Sequence, residues 1–428
     1  MDQHNKFSIG YANQLDREDP LKGFRDRFMI TDPSLIYLDG NSLGRLPRVT
    51  ASRLKSVIAD EWGDRLIRSW NEGWYEQSSR LGKKIAQIVG AHPDEVIVCD
   101  STSINLYKLV FAALKMRKNR TEIVSDDMNF PSDLYVIQGL IKQFGNQHIL
   151  RLMKSSDGVN VEMHEMLRII GKKTALVTLS HVAFKSAYMY DMKAVTDLAH
   201  MEGALVIWDL SHSVGAVPIY LRNANVDLAV GCTYKYLNAG PGAPAFLFVR
   251  KDLQEQIESP VRGWFGQDDP FKFGMTYKPA AGMKKFLAGS PPLLSQSALE
   301  PGLDITIEAG MTAIRKKSTD QTDYLIMLAK EWLVPAGFRL GSPVESQKRG
   351  SHVTLKHAEA FRICNALMDR EVGEALIIPD FREPNNIRLG VAPLYTTYLD
   401  LFLAVKQLKD IVENGWFKRY TKEKMSVT

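Results

Sequence analysis

The chain has 428 residues, 45% hydrophobic and 24% charged, with a formal net charge of +5. That length predicts two or three lobes around a core large enough to need no disulfide framework or metal clip. The charge is modest and dispersed, which argues against a nucleic-acid partner and suits anionic small ligands. No apolar run of roughly 18 residues occurs, so no membrane span is expected. The leading MDQHNKFSIG lacks the apolar core of a secretory signal. The three cysteines, Cys99, Cys232 and Cys364, are odd in number and scattered. A reducing, cytoplasmic setting is the expectation.

Residues 1–60 read as an N-terminal segment, with IYLDGNSLGRLPR (36–48) as a strand entering a glycine-rich turn. Helical periodicity runs through RLKSVIADEW and SSRLGKKIAQIVG, with Gly90 as the stop. From about residue 91 short apolar strands alternate with helices. EVIVCD, TEIVS, HILRL, ALVTLSHV, ALVIWDL, VDLAVGC and AFLFVR are the strands; INLYKLVFAALKM, PSDLYVIQGLIKQF and DMKAVTDLAHMEG are helices between them. This alternation predicts an α/β domain, with a mostly parallel central sheet flanked by helices, over 61–300. The texture changes near 295–305, and a smaller α+β domain is expected over 301–428, with HVTLK and NIRLGV among its strands.

In open α/β sheets ligands bind beyond the carboxyl ends of the strands, and four polar features fall there. DSTSIN (100–105) puts Thr102 and Ser103 at a helix start, which suits either a phosphate or a plain N-cap. Asp209 ends a buried strand, where an acid is costly without a cation or donor, and His212 follows three residues later. Lys235 follows the next strand: either it snorkels to water, or a partly dry pocket makes it a nucleophilic amine. MNFPSDLY (128–135) offers Phe130 as a stacking face and Asp133 as an acceptor, or merely a helix cap. A phosphate seat, an aromatic face, an acid and an activated lysine are together the parts that hold pyridoxal 5'-phosphate. Neither a dinucleotide fingerprint nor a P-loop occurs, and the nine histidines show no metal-ligand spacing. Arg388, in a strand-like run of the C-terminal region, can pair with a substrate carboxylate or serve a structural ion pair.

The series YLDGNSLG (37–44), DSTSIN, FPSD (130–133), DLSH (209–212), YKYLNAGPG (234–242), GWF (263–265) and IRLGVAPLY (387–395) resembles kynureninase over nearly the whole chain. The resemblance implies the fold-type-I pyridoxal-phosphate architecture and hydrolytic Cβ–Cγ cleavage of L-kynurenine in tryptophan breakdown. It implies Lys235 as the Schiff-base lysine, Tyr234 as a phosphate contact and proton relay, and Asp209 as the partner of the pyridinium nitrogen. His212, Thr102, Ser103, Phe130, Pro131, Ser132, Asp133, Ser180 and Ser290 would line the cofactor. Trp264 would reach the phosphate from the partner subunit of a homodimer. Arg388, Asn41 and Trp70 would bind substrate. Trp70 with Gly289 and Ser290 looks like the bacterial arrangement, which prefers kynurenine to its 3-hydroxy derivative.

The likeness breaks at HVAFKSAYMYDM (181–192), where many members read His-Val-Asn-Tyr-Lys-Thr-Gly. Ala183, Phe184 and Ala187 replace Asn, Tyr and Gly, and Ala243 replaces a frequent glycine after GPG. These departures bear on substrate preference more than on reaction class. An aminotransferase, a cysteine desulfurase or a non-catalytic pyridoxal-phosphate-binding protein are the competing readings. A desulfurase needs a cysteine on a mobile loop, whereas Cys364 falls in a helical pattern and Cys99 in a strand.

Overall fold

The computed structural model describes residues 6–423. The first five residues of the N-terminal segment and the last five of the C-terminal region lie outside the described residues. The strands in chain order are β1 (Leu35–Tyr37), β2 (Val96–Val98), β3 (Glu122–Asp126), β4 (Ile149–Met153), β5 (Thr174–Ser180), β6 (Leu205–Asp209), β7 (Leu228–Gly231), β8 (Phe246–Val249), β9 (Arg339–Leu340), β10 (His352–Lys356), β11 (Leu376–Ile378), β12 (Asp380–Arg382) and β13 (Asn386–Gly390).

Seven strands form the central sheet in the order β2-β8-β7-β6-β5-β3-β4. Its four pairings from β7 to β4 are parallel; β8 runs antiparallel to both β2 and β7. The inner strands β5 to β8 are buried at every position, as expected of a sheet covered on both faces. Register places Ser180 beside Asp209 and Asp209 beside Val230, so the β5, β6 and β7 carboxyl ends share one edge.

Helices start at this edge for local reasons. The helix Thr102–Met116 is capped by Ser101, whose side chain accepts from the Ile104 N–H at 3.5 Å. The helix Pro131–Gln143 carries proline at its first turn, where a missing N–H costs nothing. Upstream, the helix Gln77–Val89 ends at Gly90, which takes a left-handed φ of 65°.

The C-terminal sheet is antiparallel, β12-β13-β10-β9. It shares a core with the helices Met311–Leu328, Ala360–Leu367 and Tyr398–Glu413 through Leu325, Leu328, Ile363, Leu367, Val405 and Leu408. The N-terminal segment joins this core: β1 pairs parallel with β11, and Ala12, Ile36 and Leu38 pack into it. The change of texture near residue 300 falls inside one continuous helix, Leu293–Ala309, whose Leu299 and Leu303 pack on the large-sheet core. Among the described residues no helix is long and apolar enough to cross a membrane.

Candidate active site

A cavity of about 160 Å³ lies at the carboxyl edge of the central sheet. Ser101, Thr102, Ser103, Phe130, Ser132, Asp133, Asp209, Ser211, His212, Cys232, Tyr234 and Lys235 line it, with Ala243 and Ala245. The Ser103 and Ser132 hydroxyls lie 3.0 Å apart, tying together the first turns of the helices that begin at Thr102 and Pro131. Two helix N-termini thus converge on one wall, and their unpaired N–H groups and positive ends favour an anion.

Lys235 reaches the cavity from the turn after β7. Its Nζ is 2.9 Å from His212 Nε2 and lies 6.0 Å from the Phe130 ring centroid and 5.8 Å from that of Tyr234. Burial, then the cations Lys235 and Arg388, hold His212 well below the ordinary histidine range. That favours a neutral imidazole, hydrogen-bonded through Nε2 to the Lys235 amine. The turn is held in place by Gly44, whose N–H donates to the Tyr234 carbonyl at 2.8 Å. A Cβ at Gly44 would stand 2.2 Å from the Lys235 carbonyl, so only glycine permits this approach.

Asp209 Oδ1 accepts from the Ser211 N–H at 2.9 Å and the Ser211 hydroxyl at 2.6 Å. Burial raises its pKa, while Ser211 and the charge of Lys235 pull the other way. Asp133 is pushed well above the usual carboxylate range, by burial first and by the nearby Asp209 second. Asp133 Oδ2 has no hydrogen-bond partner among the described residues. Of the two carboxyls, Asp209, with donors in place, is the one that holds negative charge more readily. Burial first, then the adjacent Cys232 thiol, raises Tyr234 above its ordinary value, so it is a neutral donor.

Arg388 is fully buried on β13. Its Nη1 donates to the Phe184 carbonyl at 2.6 Å and its Nη2 to Ser42 Oγ at 2.8 Å, and it pairs with Asp380. Asn41, in the turn that leads to Gly44, is fully buried, and neither its side-chain oxygen nor its nitrogen has a partner among the described residues. Ser180 ends β5 and donates to Asn129 Oδ1 at 2.7 Å. Pro131 fixes the start of its helix without lining the cavity.

Besides Asn41, Pro131, Ser180 and Arg388, three further expected positions, Trp70, Trp264 and Ser290, do not line the cavity. Trp70 packs edge-on to Trp74 and against Phe265. Trp264 is 41% exposed and stands edge-on to Phe265 at 4.7 Å. Ser290 and Gly289 lie on the surface. Sequence reasoning gave no role to Ser211, Cys232, Ser42, Asp380 or the Phe184 carbonyl. Ser211 had a signal, a hydroxyl two residues after a buried acid. Asp380 had none, because only the pairing of β12 with β13 brings it beside Arg388.

The cavity can hold an anion at the helix starts, a planar ring against Phe130, and a protonated ring nitrogen against buried carboxyls, with an amine alongside. Pyridoxal phosphate fits that set, and the donor-free Asp133 oxygen and the paired helix starts are the observations that match it. Among the described residues no group of three or more His, Cys, Asp or Glu could hold a metal.

A family model described as the kynureninase C-terminal domain matches residues 314–408. The kynureninase of Pseudomonas fluorescens is 42% identical over 420 residues, spanning 97% of this chain and 98% of that one. Among solved structures, an apo cysteine desulfurase from Thermococcus onnurineus NA1 has a TM-score of 0.75 at 18% identity, covering 94% of this chain and 98% of that chain. A C-DES mutant with glycine covalently linked to its PLP cofactor has a TM-score of 0.75 at 16% identity, covering 88% and 96%. These two likenesses show the fold, that of the fold-type-I pyridoxal-phosphate enzymes. Identity of 42% along nearly the full length shows more than fold, and the chain belongs to the kynureninase family.

Proposed function

We propose that this chain hydrolyses L-kynurenine to anthranilate and L-alanine, with Lys235 as the amine that receives the cofactor. The observation that carries the reading is the cavity in which Lys235, His212, Asp209 and the two helix starts meet. Pyridoxal phosphate is the cofactor of this family; when bound, it supplies an electron sink for the pair released at the substrate's Cα.

The protein's own groups do the rest. The turns at Thr102–Ser103 and Ser132 hold the phosphate by N–H and hydroxyl donors. Phe130 covers one face of the ring. Asp209, oriented by Ser211, keeps a proton on the ring nitrogen, and Asp133 stands behind it. With substrate in place, the Lys235 amine would stand ready to take the Cα proton, with His212 as its hydrogen-bond partner. Arg388 holds the α-carboxylate, which sets the bond at Cα relative to the ring. Tyr234, a neutral phenol, is the donor for the departing three-carbon fragment. Ser180 acts through Asn129, and Asn41, buried with a partner-free side chain, bounds the substrate end; Trp70 joins the residues that would serve the cavity of a second copy.

A homodimer completes this reading. Trp264, Phe271 and Phe273 form an exposed apolar cluster, and Met275, two residues after Phe273, is wholly exposed. Trp264 and Ser290, which do not line the cavity of their own chain, are the residues to complete the cavity of a second copy. A cytoplasmic setting agrees with three unpaired thiols.

The desulfurase alternative lacks its nucleophile: all three cysteines are buried, and burial pushes the Cys99 and Cys364 thiols up. The test is product analysis. Incubation with L-kynurenine and with 3-hydroxykynurenine should release the matching anthranilate and L-alanine in equal amounts. Kynurenic acid in their place would assign an aminotransferase, and a yellow protein with no turnover would assign a binding protein.

A further inference from the structure

The segment after β5 is the one that departs from the family pattern, and it is built as a tight turn. The Ala183 N–H donates to the Tyr188 carbonyl at 2.8 Å and the Ala187 N–H to the Ala183 carbonyl at 2.9 Å. Ala187 closes it with φ 63°, a left-handed backbone that a side chain disfavours. Three of its carbonyls face the C-terminal region. That of Phe184 accepts from Arg388 at 2.6 Å, that of Lys185 from the Thr354 hydroxyl, and that of Ala187 from the Gly350 N–H at 2.8 Å. Thr354 and Arg388 are register partners on β10 and β13. A turn from the large sheet is thereby fastened to the two strands that present the arginine.

The Phe184 side chain goes the other way. It is buried, and its ring stands edge-on to Phe130, with centroids 5.3 Å apart at 89°. Phe130 lines the cavity and is 42% exposed, so its tilt depends on the few groups behind it. One residue therefore touches the aromatic wall of the cavity with its ring and the buried arginine with its carbonyl.

We propose that Phe184 is a positioning residue that couples the two halves of the site: its ring sets the tilt of Phe130 over the cofactor, and its carbonyl sets Arg388 for the carboxylate. This rests on the roles given above to Phe130 and Arg388. An edge-to-face pair contributes beyond simple burial, and a carbonyl bonded to a guanidinium is a charge-assisted contact. Ring and carbonyl belong to one residue of a fastened turn, so a backbone adjustment that lets the ring resettle shifts both contacts together.

The test compares Phe184→Leu with Phe184→Tyr. Leucine keeps the backbone carbonyl and most of the apolar volume but has no aromatic edge; tyrosine keeps the edge. Three quantities are measured: cofactor affinity by titrating apoprotein with pyridoxal phosphate, L-alanine affinity by the visible absorbance of the loaded protein, and Tm. The expected result for Phe184→Leu is a cofactor Kd raised about 3- to 10-fold, a weaker L-alanine affinity by a similar factor, and a Tm near wild type. Phe184→Tyr should restore both affinities. A lowered Tm with both affinities intact, or a loss confined to one ligand, would overturn the coupling. Neither affinity needs turnover, so a wild-type protein that failed to cleave kynurenine would sink the proposed function and leave this test standing.

Discussion

Replacing Arg388 by lysine separates charge from geometry at the carboxylate site. Arg388 and Asp380 are 1% and 2% exposed, and Asp380 also lies 3.0 Å from Arg382 Nε. Deleting the arginine outright would strand a buried carboxylate, at a cost of about 3–5 kcal/mol, softened by Arg382. Arg388→Lys keeps a cation for Asp380, so the fold should persist. What it loses is the planar fork: one ammonium cannot serve the Phe184 carbonyl, Ser42 and a substrate carboxylate in the same geometry. Losing one charged hydrogen bond to substrate costs about 1.5–3 kcal/mol, or about 10- to 150-fold in affinity at about 1.4 kcal/mol per decade. Steady-state kinetics with kynurenine should show that loss chiefly in KM, and the L-alanine Kd should rise in parallel. Cofactor affinity should fall far less than L-alanine affinity, because Arg388 reaches the Phe130 wall only through the Phe184 carbonyl, which a lysine can still serve. A decarboxylated analogue should inhibit both proteins alike. A KM within twofold of wild type, or loss of the cofactor, would refute the assignment.

Two further predictions concern stability. Burial pushes Asp126 up to about 6, against the Tyr190 hydroxyl and the Met128 N–H, which favour the charged form. A carboxyl whose folded pKa is raised contributes stability below its unfolded pKa and loses it as pH rises through the folded value. Asp126→Asn should therefore flatten the decline between about pH 4 and pH 7 by up to about 3 kcal/mol in urea titrations; an unchanged slope would show that another group sets it. At Ala187, with φ 63° and its methyl buried against Val182 and Val217, valine should cost about 1–3 kcal/mol. Glycine should stay close to wild type, since relief of strain offsets the lost methyl. A neutral Ala187→Val in thermal melts would contradict the left-handed backbone.

Much of the large sheet was legible because its signals are local. Buried apolar runs mark β5 to β8, and Ser101 and Pro131 mark the helix starts by capping chemistry. HVTLK matches β10 residue for residue. The cavity followed, since an acid, a lysine and two hydroxyl turns at strand ends share one edge once the strands lie parallel. What stayed hidden depends on distant pairing. Residues 35 and 376 meet in the β1–β11 register, and nothing near either announces the other. The antiparallel turn of β8 is equally silent, because a strand buried on both faces reads the same in either direction. Asp380 and the Phe184 carbonyl became visible as partners of Arg388 only through the contacts of β12 and of the turn after β5. The individual roles of Tyr234 and Trp264 came from the family likeness rather than from periodicity or charge, whereas Arg388 was legible as a carboxylate partner or a structural ion pair from its place in a strand-like run.

The central claim is that Lys235 is the lysine that carries the cofactor. Borohydride treatment of the yellow holoprotein fixes bound pyridoxal phosphate to the amine that holds it, and peptide mass spectrometry locates the modified residue. A phosphopyridoxyl group on Lys235 alone is the expected result, together with loss of kynurenine cleavage in Lys235→Ala. A modification on another lysine, or a Lys235→Ala protein that keeps both the visible absorbance and turnover, would contradict it.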